Sequence, residues 1–381
     1  MSSSRDFTVA VIGAGVVGAA VTYALARRGV AACLLEAESE PGLGASGANS
    51  GILHAAFDSS PGELETEMIL RSAVLRDDVL GRLSVPVLRC GAVVTPRDED
   101  EKRTVAALAE GARRNGVDAH LGPGGALEVP TESVTDPVAY TGALAAAAVG
   151  GGAELRTSAR IVAIERSADG LSVRTASGDG FTCEAAVNCA GVRGDEVARL
   201  AGDASFEIYP RKGEFFVFDP PDGQTLERIL LPVPTKRTKG VLVFPTVDGK
   251  VIAGPTAHDQ VDKDDWSVRP EAFEQVMPKA VRMLPSLEGA EPIASYAGLR
   301  PAGRDVNYVI GPSNACPGLF NVAAIRSTGV SASLGIAERV VSMLEAHGIE
   351  LGADRELPPT GPDDASAEPW WRRAARRGAV V

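Results

Sequence analysis

The sequence predicts an α/β protein: a Rossmann-type dinucleotide-binding domain interleaved with an α+β domain built on an antiparallel sheet. Three observations predict it. Thr8–Ile12, the turn Gly13-Ala-Gly15-Val-Val-Gly18, the helical stretch Ala19–Arg28 and a second apolar run, Ala31–Leu35, end at Glu36. That order is strand, glycine turn, helix, strand and acid. Arg211–Phe218, Val241–Thr246 and Lys250–Ala253 read as antiparallel strands, with Asp248-Gly249 marking a hairpin turn. Dinucleotide-type elements return later, at Ala185–Ala190 and in the closing strand and helix, Leu319–Ala324 and Ser331–Glu345.

The elements follow in order. Gly13 makes the first turn, Gly15 lets backbone approach a pyrophosphate, and Gly18 lets the helix pack close to the sheet. The helix N-terminus offers free N–H groups and the positive end of its dipole to phosphates. Glu36, 18 positions after Gly18, is placed to accept from ribose hydroxyls. Pro41–Gly51 is a long loop of small residues, suited to packing against an extended cofactor. Leu64–Leu83 reads as a helix, Val85–Pro96 as a strand, and Glu99–Asn115 and Pro137–Val149 as helices. Ala159–Arg166 and Leu171–Thr175 alternate as paired strands, and Gly194–Ala201 is helical. Pro278 is expected to kink or break a helix over Glu271–Leu284.

Composition excludes several classes. The 381 residues allow two or three domains, and 45% hydrophobic with 23% charged residues is ordinary globular usage. A net charge of −12 gives no general electrostatic help toward nucleic acid. Five scattered cysteines without a CxxC pair, and four histidines without metal spacing, argue against a disulfide scaffold or a metal site. Residues 7–26 carry no charge over twenty positions, about the span of a bilayer. The fixed glycines and the terminal acid assign this stretch to the nucleotide motif instead. The default expectation is a cytoplasmic protein without a transmembrane segment.

Beside the glycine motif, four blocks carry a resemblance: Ser46-Gly-Ala-Asn-Ser-Gly-Ile-Leu-His54, Pro210-Arg-Lys-Gly-Glu214, Gly254-Pro-Thr256 and Ala297-Gly-Leu-Arg-Pro301. With these the chain resembles the FAD-dependent oxidoreductases of the D-amino-acid-oxidase-like (DAO) superfamily. Within it, the chain looks most like the branch of glycerol-3-phosphate dehydrogenases and L-2-hydroxyglutarate oxidases. The resemblance implies an FAD-binding domain of residues 1–84, 150–204 and 297–350, and a substrate domain of residues 85–149 and 205–296. By composition, residues 351–381 read as a surface extension, with a short basic-aromatic membrane or partner contact through Trp370-Trp371 and the arginines as the alternative. FAD would lie with its adenine end near Glu36 and Val162. Ser46, Gly47, Asn49 and Ser50 would border the pyrophosphate and flavin, and Gly191 the ADP half. The backbone of Gly329, Val330 and Ser331 would face the flavin pyrimidine edge, where a helix N-terminus stabilises the negative charge of reduction.

His54 is the candidate proton acceptor, since an imidazole titrates near neutrality. Arg300 is the candidate anion clamp, because a guanidinium grips carboxylate or phosphate through two parallel hydrogen bonds. Lys212 and Arg326 are candidate second cations, and Phe244 and Tyr296 candidate pocket walls. The expected substrate is a small anion bearing a hydroxyl, of the glycerol-3-phosphate or 2-hydroxy acid type, with oxygen, a quinone or a redox protein taking the electrons. Oxidative deamination of an amino acid, or a flavin-binding partner protein without turnover, are the alternatives. Arg326 stands where the family would carry a Glu or a small residue, so the resemblance does not transfer a substrate.

Overall fold

The computed structural model describes residues 5–167, 170–235, 240–359 and 368–379. Among them the strands form sheets of eight, nine and three. In the first sheet Phe7–Ile12 is central and parallel to both Ala32–Leu35 and the end of Gly180–Asn188. Glu154–Arg156 and Leu319–Ala323 extend it in parallel on either side. Strands parallel to their neighbours carry helices on their faces and so read as continuous apolar runs. Ala32–Leu35 is buried at all four positions. Helices Val16–Arg27, Pro137–Gly150 and Gly329–His347 cover one face with a shared apolar core. The hairpin Ile161–Ser167 and Gly170–Thr175 joins the start of Gly180–Asn188 in antiparallel register.

The second sheet is built on Ile208–Phe218, which pairs along its length with Ala294–Gly303. In that register Arg211 faces Arg300 and Gly213 faces Gly298. The sheet continues through Val251–Gly254, Leu242–Pro245, Ile229–Leu231, Ala92–Val94 and Leu127–Val129. A small third sheet pairs Ile52–Leu53 with Ser133–Thr135, and so brings the segment after the small-residue loop beside residue 132.

The structure departs from the sequence reading in four places. The expected boundary at 297 cuts the continuous strand Ala294–Gly303, which belongs to the antiparallel sheet. Helix Pro137–Gly150, expected with the substrate domain, packs its Tyr140, Leu144 and Ala148 into the core of the dinucleotide domain. Val85–Pro96 is two short strands, Val87–Leu88 and Ala92–Val94, interrupted at Gly91, whose φ of +65° is left-handed. Ala272–Met283 is one helix through Pro278. Pro278 lies on its exposed side, while Ala272, Val276, Met277 and Ala280 hold the buried face to the antiparallel sheet.

The C-terminal tail is a surface extension only over residues 351–359, which are mostly exposed; its end docks into the molecule. Gly352 donates to the Arg28 carbonyl and accepts from the Arg28 guanidinium, so the chain runs back along the first helix. Trp370–Ala379 is a helix whose Trp370 and Trp371 are 1% and 2% exposed. Both rings are buried in the core of the antiparallel sheet and do not present a membrane-facing aromatic edge. Residues 360–367 and 380–381 of the tail lie outside the described residues.

Candidate active site

Two cavities meet between the sheets. The first, of about 470 Å³, runs along the glycine turn and is lined by Gly15, Glu36, Ser46, Val162, Gly191 and Gly329 among others. The second, of about 480 Å³, lies against the antiparallel sheet and takes in His54, Phe57, Arg211, Phe244, Arg300 and Ser327. Asn49 and Arg326 line both.

Along its glycine turn the first cavity is bare backbone. Gly13 has φ +102°, and a Cβ there would lie 2.6 Å from the Cys189 carbonyl oxygen. A Cβ on Gly18 would lie 1.9 Å from the Gly13 carbonyl oxygen, so Gly18 serves the turn itself as much as helix packing. Gly15 differs. A Cβ there meets only Ser46 Oγ, at 3.1 Å, and otherwise points into open space. Ser46 Oγ accepts from Val16 N at 2.9 Å and pins the small-residue loop to the helix start. A Cβ on Gly47 would strike the Gly42 carbonyl, which makes Gly47 a residue of loop closure. Glu36 accepts from Ala14 N at 2.6 Å and Glu38 N at 2.9 Å, which fixes its carboxylate at the cavity end. Val162, 44% exposed, lies in the same wall.

The junction is held by hydrogen bonds. Asn49 Nδ2 donates to the Ser327 carbonyl, and Gly51 N donates to Asn49 Oδ1. Ser50 Oγ accepts weakly from Ile52 N at 3.4 Å. Gly329 and Val330 line the first cavity at the start of helix Gly329–His347. The Ser331 hydroxyl is turned away: it donates to the Ile52 carbonyl and accepts from His54 N. It thereby sets the position of His54.

In the second cavity His54 Nδ1 lies 3.0 Å from Glu132 Oε2. Glu132 is fully buried, and its other oxygen accepts from Ala55 N at 2.7 Å. A carboxylate at Nδ1 favours the tautomer with its proton there and leaves Nε2 with a free lone pair. The Arg76 guanidinium donates to the His54 carbonyl; burial lowers its pKa, and Glu132 opposes that shift. Glu132 was not found from sequence. It lies 78 positions from His54, and no motif joins them.

Arg300 lines the same cavity. Its guanidinium makes only long hydrogen bonds, at 3.4 Å, to the carbonyls of Arg211 and Thr256. Among the described residues no carboxylate pairs with it. Burial, with the Arg211 charge beside it, pushes its pKa down to about 10. A Cβ on Gly213 would lie 2.2 Å from Arg300 Nη2, so the bare backbone at 213 makes room for the guanidinium. Arg211 is a wall residue the sequence reading missed, and its charge is answered by Asp259. Strand alternation would have found it, since 211, 213 and 215 share one face and 212 points the other way.

That alternation removes Lys212 from the cavity. Its fully buried ammonium bonds Asp265 at 2.7 Å and the Ser267 carbonyl at 2.9 Å. Tyr296 is also displaced: it is fully buried beneath Phe215, with ring centroids 4.9 Å apart. Phe244 does line the cavity, edge-on to Phe215. Arg326 lines both cavities, but Glu65 pairs with it at 2.7 Å. The surrounding turn is strained, with φ +55° at both Ala324 and Arg326. Arg326 N donates to the Pro301 carbonyl, and Glu65 also accepts from Thr328 and Asn307. The expected cluster of three free cations is therefore one, Arg300.

A family model for FAD dependent oxidoreductases (DAO) matches residues 8–343. The chain belongs to this family. FAD is its cofactor, and the bare backbone at Gly15 and Gly191, beside a fixed carboxylate, fits a dinucleotide. The enzyme is 31% identical over 355 residues to a glycerol 3-phosphate dehydrogenase of Caloramator mitchellensis, covering 89% of this chain and 74% of that one. It is 25% identical over 364 residues to a glycerol 3-phosphate oxidase of Mycoplasma genitalium, covering 89% and 95%. The dithionite-reduced L-alpha-glycerophosphate oxidase of Mycoplasma pneumoniae with FAD bound superposes with a TM-score of 0.86 at 25% identity, covering 93% and 98%. Glycine oxidase of Geobacillus kaustophilus, at 23% identity and a TM-score of 0.79, shares the fold. Among the described residues no helix is long and apolar enough to cross a membrane.

Proposed function

We propose that the enzyme oxidises the hydroxyl-bearing carbon of a small anion, of the glycerol 3-phosphate type, to a carbonyl. The observation that carries this reading is Arg300, a part-buried, desolvated cation that has no carboxylate partner among the described residues and opens on the cavity holding His54. A buried charge left unpaired is costly, so the site is built for an anion that arrives with the substrate. The glycerol 3-phosphate enzymes among the relatives favour a phosphate over a carboxylate head.

FAD, when bound, supplies the hydride acceptor. Gly15, Ser46, Asn49 and Gly191 would hold it, with Glu36 and Val162 toward its adenine end and Gly329 and Val330 toward its flavin end. His54 Nε2 takes the hydroxyl proton. Glu132 keeps Nδ1 protonated and stabilises the imidazolium that forms, as a carboxylate does behind other catalytic histidines. Arg300 fixes the anionic head, and Phe57, Phe215 and Phe244 exclude water from the apolar side. A 2-hydroxy acid would use the same groups. Electrons leave to oxygen, a quinone or a redox protein.

The test is anaerobic bleaching of the bound flavin by glycerol 3-phosphate, glycerol, 2-hydroxy acids and amino acids. Glycerol 3-phosphate is expected to reduce the flavin well and glycerol poorly. Arg300→Lys should weaken binding despite keeping the charge, because an ammonium lacks the two-pronged donor geometry. Faster reduction by glycerol than by any anion, unchanged in Arg300→Lys, would overturn the reading; ammonia release from an amino acid would replace it.

A further inference from the structure

The C-terminal helix Trp370–Ala379 lies beyond residue 343, where the family match ends, yet its last turn forms part of the cofactor cavity wall through Arg377. Resting on the assignment of that cavity to FAD, we infer that this helix is a cofactor latch and that Arg377 is an FAD-binding residue.

The helix is fixed from below by apolar burial. Trp370, Trp371 and Ala374 sit in the core of the antiparallel sheet, and Trp370 meets the Tyr296 ring edge-on at 5.4 Å. Trp371 Nε1 donates to Asp248 in the hairpin turn, which sets the helix rotation. Gly378 then allows a close approach, since a Cβ there would lie 2.7 Å from the Trp266 carbonyl oxygen. Trp266 is itself a wall of the cofactor cavity.

The polar side of the helix grips the loop that follows Glu36. Arg373 pairs with Glu40, and Arg377 donates to the Leu43 carbonyl and, at 3.1 Å, to Glu38. The Arg377 guanidinium lies over the Trp266 ring, 4.2 Å from its centroid. Guanidinium carries five donors, and the bonds to Leu43 and Glu38 use two. The group borders the cavity at the end where Glu36 and Glu38 stand. A guanidinium held by an aromatic face, a loop carbonyl and Glu38 keeps three N–H donors beyond those bonds, which suits hydrogen bonding to the phosphate of the adenylate half. The loop over residues 38–43 cannot swing away from the cavity while the helix is docked, so the helix also slows cofactor escape.

The experiment measures release of FAD from the holoenzyme after dilution, by the rise of free-flavin fluorescence. Arg377→Ala should release FAD about tenfold faster, the scale of one lost charge-assisted hydrogen bond. Arg377→Lys should recover part of that loss. Truncation after Pro359 should accelerate release further. Should that truncated chain fail to fold, the point variants still decide. Arg376→Ala is the structural control, because Arg376 pairs with Glu368 on the open side of the same helix. Release at the wild-type rate in Arg377→Ala, or equal acceleration in Arg376→Ala, overturns the inference. Either result comes from an enzyme that has already bound FAD, so the cofactor assignment survives it.

Discussion

The two cavities are made in opposite ways. The cofactor cavity also draws side chains from distant segments, but its key positions lie in the local glycine turn at residues 13–18 and are defined by the absence of side chains. The second cavity is walled by side chains from distant segments, and its chemistry exists only once strands pair and a buried acid meets a histidine 78 positions away. The first kind of site is written in spacing. The second is written in register and partner choice, which a single sequence does not spell out.

The glycines give the largest effect with which to break this contrast. Gly15→Leu should leave the fold intact and abolish FAD loading, because its Cβ meets only Ser46 Oγ while the rest of the side chain fills the cavity. Gly18→Ala should instead lose folded protein, since its Cβ cannot coexist with the Gly13 carbonyl. Flavin absorbance per folded molecule, with folding followed by circular dichroism, checks both. A yellow Gly15→Leu protein would show that the turn does not face the cofactor.

Legibility follows the same division. The strand–turn–helix–strand at residues 7–36, the closing strand and helix and the antiparallel strands were readable, because periodicity and glycine spacing are local properties. His54 and Arg300 were readable as residue types in recognisable blocks. Their surroundings were not. Lys212 and Arg211 are adjacent in sequence, and only the exact strand phase shows that Arg211 faces the cavity while Lys212 faces Asp265. Glu65 neutralises Arg326 across 261 positions, and Glu132 had no local signal at all. The tail read as a surface extension because the docking surface of its last helix lies on other segments.

The proton-handling pair is next in size. His54→Ala should slow anaerobic flavin reduction by about 10²–10⁴-fold, with FAD content unchanged. Glu132→Gln should cost less, at least about tenfold, because the imidazole remains but its tautomer is no longer set by a carboxylate. Stopped-flow reduction with glycerol 3-phosphate gives both numbers. If Glu132→Gln loses as much flavin as rate, Glu132 supports the loop and not the histidine.

Removing one partner from the Lys212–Asp265 pair tests the correction to the cation count. Asp265→Asn leaves a buried ammonium without its counter-charge, and should destabilise the protein by about 2–3 kcal/mol. That lies at or below the low end for buried pairs because Asp265 is 40% exposed. Substrate binding should change little, since neither group lines the cavity. The Asp265 carboxyl is depressed to about 2 by its bonds to Lys212 and Ser267, which outweigh an opposing desolvation. A folded pKa below the unfolded value near 3.8 means the pair contributes fully above about pH 4. The contribution is lost as pH falls through 2. Chemical denaturation of wild type and Asp265→Asn at pH 7 and near pH 2 should therefore converge at the acid end. A constant difference would remove the pair from the account.

The smallest effect has an unusual sign. Arg300 is a part-buried cation whose charge is answered, among the described residues, only by carbonyls at 3.4 Å. Its depressed pKa, at about 10, is the mark of that unrelieved burial. Function should therefore oppose stability at this position. Arg300→Met replaces the guanidinium with an unbranched apolar chain and removes the unpaired charge. Such replacements in buried positions are often stabilising. A gain of about 1 kcal/mol would raise Tm of a chain this size by roughly 1–2 °C. Phosphate separates this from ordinary repacking. Inorganic phosphate or glycerol 3-phosphate should raise the wild-type Tm, because an anion that binds only the folded state stabilises it by mass action. The same anions should do nothing for Arg300→Met, which should also lose flavin reduction by glycerol 3-phosphate. A variant that melts lower than wild type and is still stabilised by phosphate would place the anion elsewhere in the cavity, and would make Arg300 a residue of the sheet rather than of the substrate.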